Sequence, residues 1–167
     1  MLIYHPIEDS NHCCYRLIRL LDAISAESVP LHTLMICDFY SLFPGQLKNI
    51  IGWPRANSAS WRTIQSIPDE YEEMLNQKRV FFKLNSIQNS AIAHLHSKEI
   101  ISFSSPLDGN IALNRHTVPS GIRERLTIDP VNQSNWFALI TKELTKIELY
   151  GKMGLKSKTG LMEFVYD

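Results

Sequence analysis

Apolar residues recur with helical spacing along the first forty positions. Cys14, Leu17, Ile18, Leu21 and Ile24 fall at i, i+3, i+4 and i+7, one apolar stripe with Arg16 and Arg19 off it. Asp9, Ser10 or Asn11 stands where it can cap that helix. After a break from Ser25 to Pro30, a second helix is predicted from Leu31 to Leu42, with Leu31, Leu34, Met35, Phe39 and Leu42 on one face. Asp38 falls on the same face. A carboxylate among apolar neighbours is costly unless paired or hydrogen-bonded. The pattern therefore calls for a partner: Arg16, Arg19 or a backbone N–H. Phe43-Pro44-Gly45 ends the helix, because proline disfavours a helical residue before it and glycine permits the exit turn.

The pattern is least regular between 45 and 80. Leu47, Ile50, Ile51 and Trp53 suggest a short helix or turn, 54–60 reads as loop, and Pro68 heads a predicted helix over Asp69–Gln77. Phe81 to Leu84 then leads into Ser86 as N-cap, followed by Ile87, Ala91, Ile92 and Leu95 on a helix. That helix runs into Ile100–Phe103, then Pro106-Leu107-Asp108-Gly109, then Asn110–Leu113. Asp-Gly between two β-prone runs is a hairpin signal. A helix followed at once by a hairpin makes the second half of a winged helix-turn-helix. A short helix is predicted over Pro119–Leu126. A long one follows from Asn132 to Tyr150, striped by Trp136, Phe137, Ile140, Leu144 and Ile147 and stopped by Gly151 and Gly154. The expected fold is α+β and mostly helical. It is a single winged-helix-like domain over residues 1–167, with an N-terminal helical pair, a β-hairpin wing and a long C-terminal helix. Residues 151–167 form a tail that finishes on Leu161, Met162, Phe164, Val165 and Tyr166. Chain ends usually fray and turn polar, so this one is expected to be pinned into a core or docked on a partner.

Composition narrows the chemistry. An apolar fraction of 44% with 20% charged residues suits a globular chain. Lys+Arg and Asp+Glu balance at 17 each, so no global field draws it to nucleic acid or a membrane. Three cysteines, two of them adjacent, make a poor disulfide framework and suit a reducing cytoplasm. No leader pattern opens the chain and no apolar run approaches the ~20 residues that span a bilayer. His12-Cys13-Cys14 with Cys37 lacks the spacing of a zinc site. His94 and His96, two apart in a helix, point to different sides. Glu70, Glu72 and Glu73 read with Asp69 as negative charge in a first helical turn. Neither metal nor cofactor nor catalytic residue is expected, and the chain reads as a binding or assembly subunit. Lys83, Lys98 and Lys152 are candidates for contact with a DNA backbone. The helix after Ser86 carries no Arg, the commonest specific base reader.

Three blocks carry a resemblance. They are Tyr4-His5-Pro6 through His12 into Arg16–Leu21; Asp38-Phe39-Tyr40-Ser41-Leu42-Phe43-Pro44; and Gly151 with the run from Gly154 to Phe164. In order and spacing the chain resembles the middle component of bacterial ABC-three-component systems, the small accessory subunit of Lamassu-type anti-phage and anti-plasmid defence operons. The resemblance implies a non-enzymatic subunit that binds the head region of an SMC-like ABC ATPase dimer. It also implies help in holding an effector, often a nuclease, inactive until foreign DNA is sensed. Under it the partner-binding residues are Phe39, Tyr40, Phe43, Leu155, Lys156, Lys158, Leu161 and Phe164. Phe39 has a competing place, since its stripe position suits the chain's own core. The alternative function is a stand-alone winged-helix DNA-binding regulator, which would dimerise and bind duplex DNA in a salt-sensitive way.

Overall fold

Helix α1 (Ser10–Ala23) is capped by Asp9, whose carboxylate accepts the Asn11 N–H at 2.8 Å. The computed structural model describes residues 6–70, 73–105 and 109–162. Within it α1 is buried on more than its apolar stripe: every residue from Cys13 to Leu21 is covered, Arg16 and Arg19 included. The reason lies in what surrounds it. Helices α2 (Leu31–Leu42) and α4 (Gln77–Ser97) pack on α1, and the last strand of a small sheet lies across it. Helix α2 is likewise covered from Thr33 to Ser41, because α6 (Asn135–Lys142) closes over it. The predicted helical pair is therefore the centre of the molecule.

The sheet has three short antiparallel strands in the order β1-β3-β2. Strand β1 (Val29–Pro30) lies between α1 and α2, and β2 (Ile101–Phe103) and β3 (Asn110–Leu113) follow α4. Register pairs Ile101 with Leu113 and Val29 with Ile111, so Val29, Ile101 and Ile111 bury together under the helices. The predicted hairpin is present; residues 106–108 of its turn lie outside the described residues.

Three expectations are corrected. The cap of helix α4 stands ten residues before Ser86: it is Asn76, accepting the Arg79 N–H at 3.0 Å, and the Ser86 hydroxyl bonds to the Lys83 carbonyl within the helix. Phe81 and Leu84 belong to the buried stripe that continues through Gln88, Ala91, Ile92 and Leu95, which draws the aromatic run into the helix. Among the described residues of 69–76 no helix forms. Asp69 pairs instead with Lys48, and Glu70 accepts the Gln46 amide at 3.0 Å. The long C-terminal helix is broken. A 3-10 turn over Pro130–Gln133 precedes α6, which stops at Lys142 and passes into a second 3-10 turn over Leu144–Lys146. The hydroxyls of Thr141 and Thr145 bond back to the carbonyls of Phe137 and Thr141, a geometry that bends helices. The bend keeps Leu144 fully buried alongside Phe137 and Ile140.

Remaining elements are α3 (Ala59–Gln65), α5 (Ser120–Ile128) and α7 (Leu155–Thr159). No described helix is long and apolar enough to cross a membrane.

Asp38 has the partner its position called for. Arg16 Nε donates to Asp38 Oδ1 at 2.7 Å and Nη2 to Oδ2 at 3.1 Å, a two-pronged pair with side chains 1% and 0% exposed. From α4, Gln88 Nε2 donates to Asp38 Oδ2 at 2.9 Å and to the Met35 carbonyl at 3.0 Å. One carboxylate thus joins three helices. Removing one member of such a pair strands a buried charge. Asp38→Leu or Arg16→Met alone should lose about 3–5 kcal/mol of stability, whereas the two together lose less than either. Urea unfolding of the four proteins in a double-mutant cycle checks this; additive losses would show that the pair is uncoupled.

Candidate functional site

The Arg16–Asp38 pair is cut off from solvent. Asp38 is fully buried, and its neighbours Cys13 and Cys37 are thiols that burial, then Asp38 itself, pushes far above their ordinary range. His12 lines up with Arg16, its Nδ1 3.1 Å from Nη1. Burial, followed by the charges of Arg16 and Arg19, lowers its pKa. A second cluster ties α1 to the loop before α6. Arg19 Nη1 and the Tyr15 hydroxyl both donate to Asp129 Oδ2, at 3.2 and 2.6 Å, and Asp129 Oδ1 caps the Val131 N–H. Burial raises the Tyr15 hydroxyl to about 12, helped by its bond to Asp129. Burial opposes ionisation of Asp129, but Tyr15, the Val131 N–H and Arg19 outweigh it and hold the carboxyl below its ordinary value. Among the described residues no group of three His, Cys, Asp or Glu is placed to hold a metal ion. His94 and His96 are both exposed, and His96 stacks edge-on with Phe103 at 5.2 Å.

The residues singled out from the motifs divide sharply. Phe39 and Tyr40 are buried, and Phe43 is half-buried. Phe39 is the hub of a ring cluster, with centroids 5.2 Å from Tyr40, 5.3 Å from Phe43 and 5.8 Å from Phe81. The Asp38-to-Pro44 motif thus supplies the chain's own interior: an ion-pair acid, a packing hub and a helix stop. Leu155 and Leu161 are buried in the same core, so the tail is pinned as far as Met162; Phe164 lies outside the described residues. Gly154 makes this docking feasible. A Cβ there would stand 2.3 Å from the Tyr150 carbonyl oxygen, while the N–H groups of Leu155 and Lys156 bond to the carbonyls of Glu148 and Leu149.

The lysines sit on the outer side of this tail. Lys158 clamps the loop that follows a 3-10 turn over Pro44–Asn49: its Nζ donates to the carbonyls of Ile51 and Gly52 at 3.3 and 3.4 Å, and its own carbonyl accepts the Ile51 N–H. Lys156 lies over the Tyr150 ring at 4.6 Å. Lys152 is exposed in the turn between them. Lys83 and Lys98 are also exposed, but roughly 20 Å apart along α4, too far to act as one patch. Sequence reasoning missed the exposed apolar side chains on the tail and beside it: Met153, Tyr150 just before it and Ile51 in the clamped loop are about two-thirds or more exposed, at 72%, 67% and 72%. Their signal was present in the failure of each to fall on a buried stripe.

One family model matches the chain, over residues 2–167: ABC-three component (ABC-3C) system Middle Component 5. No curated protein and no solved structure matches it.

Two measurements separate the tail's interior from its exterior. Leu155→Ala should cost about 2–5 kcal/mol in urea unfolding through the cavity it leaves, whereas Lys158→Ala should change stability by about 1 kcal/mol or less. Acid should destabilise the fold through His12. A histidine with a lowered folded-state pKa contributes stability that is intact above its unfolded value, about 6.5, and lost as pH falls below it. His32, lowered by burial and then by Lys156, acts with the same sign. His12→Asn should therefore show a smaller fall in melting temperature than the parent across that window; an equal fall would remove His12 from the account.

Proposed function

Because the chain belongs to the Middle Component 5 family of ABC-three component systems, we propose that it is a non-catalytic accessory subunit. In this reading it binds an SMC-like ABC ATPase dimer in the cytoplasm and helps hold an effector nuclease, within a Lamassu-type anti-phage and anti-plasmid defence complex. The observation that carries the reading is the family match across residues 2–167. The fold supports it in kind. The order α1, β1, α2, then α4, β2, β3, with sheet order β1-β3-β2, supports reading the chain as a winged helix with α3 and its loops inserted. Winged helices lend themselves to protein docking as well as to DNA. Exposed Ile51, Tyr150 and Met153 among Lys152, Lys156 and Lys158 give the tail an outer surface of the apolar-and-basic kind that interfaces use. DNA-backbone contact through Lys83, Lys98 or Lys152 is secondary to this role.

The test is co-expression with the ATPase and the effector, purification through a tag on this subunit, and weighing of what co-elutes. A stable complex of all three is expected. Tyr150→Ser with Met153→Asp, both exposed, should cut ATPase co-elution at least tenfold while the melting temperature of the subunit stays put. A lone monomer, or a dimer that shifts duplex DNA, would replace this reading with the stand-alone regulator.

A further inference from the structure

A cleft of about 770 Å³ opens between α1, the C-terminal end of α4 and the start of α5. Its floor is apolar, with Ile18 and Leu95 almost wholly buried and Ile122 half-buried. Its rim is cationic: Lys98 and Arg125 are both exposed, and no described residue lining the cleft is acidic. Among the described residues neither cation forms an ion pair, and Arg125 instead lies over the Tyr15 ring at 4.4 Å.

Gly121 adds an independent observation. It stands in the first turn of α5 on the cleft's lip. Its φ is not in the left-handed region, and a Cβ built there meets nothing within 4 Å. Neither backbone conformation nor the chain's own packing asks for glycine. A bare backbone at the lip of an apolar cleft suits an occupant that approaches closely.

We infer that this cleft is a docking groove for a protein segment that presents apolar side chains flanked by Asp or Glu. The apolar residues would fill the floor and the carboxylates would meet Lys98 and Arg125. The segment belongs to one of the two partners of the proposed complex, so the inference rests on that reading. It is separate from the tail surface around Tyr150 and Met153.

The test uses the full chain co-expressed with the ATPase and the effector. Gly121→Phe builds a ring outward from a position whose Cβ meets nothing within 4 Å, and Lys98→Glu with Arg125→Glu reverses the rim. Each should weaken binding of the same partner at least tenfold. The loss from charge reversal should shrink as salt rises, and that from Gly121→Phe should persist. A photocrosslinker at Ile122 should join the groove to a segment of that partner rich in Asp, Glu and apolar residues. Because Arg125→Glu also removes the contact with Tyr15, Gly121→Phe serves as the variant that leaves the fold intact, checked by its melting temperature. If the three proteins assemble but Gly121→Phe binds both partners as tightly as the parent, the groove is not a docking site. A crosslink to a second copy of this chain would overturn the inference, as would loss of duplex-DNA retention with protein assembly unchanged. Failure of the unmodified chain to assemble with either protein would overturn it together with the accessory role.

Discussion

A guanidinium and a carboxylate, both cut off from water, set the relation among the three central helices. Arg16 on α1 and Asp38 on α2 can be buried only together, and Gln88 on α4 supplies a further donor to the carboxylate. A buried charge pair is weak evidence of net stabilisation, since desolvating two ions offsets much of their attraction. Its effect is selective. Sliding α1 by one residue along α2 would separate the charges in a medium that solvates neither, and such a register is heavily penalised. Apolar contacts hold the helices together; the ion pair decides how they are aligned.

The second charged cluster extends the same logic. Arg19, three residues after Arg16, reaches in another direction to Asp129, and Tyr15 shares that carboxylate. Helix α1 is thus anchored on two sides by polar contacts and on the rest by packing. This explains how a helix with two arginines can be covered from Cys13 to Leu21. The tail's exposed side chains and the cleft beside α5 lie on elements whose inward faces already complete the core.

Much of this was legible in the sequence where period and chemistry agreed. The α1 and α2 stripes, the need of Asp38 for a partner and the hairpin after α4 all follow from local rules. Reading failed where a residue had two local meanings. Ser86 resembles a cap, yet it lies inside a helix whose start was decided by Asn76 and by the burial of Phe81 and Leu84. The stripe from Trp136 to Ile147 is helical in spacing, but the hydroxyls of Thr141 and Thr145 return to the backbone and break it. The tail motif was recognisable as a unit. Its division into buried leucines and outward lysines depends on what α7 packs against, which no local pattern encodes.

The polar anchors have a kinetic corollary. Helical proteins usually fold fast because their contacts are local in the chain. Here the bonds from Tyr15 and Arg19 to Asp129 span 114 and 110 residues, and that from Lys158 to Ile51 spans 107. Each closes a long loop whose entropy must be lost before the contact forms. Such closures raise the mean sequence separation of its contacts, which slows folding relative to a helical protein held by neighbouring helices alone.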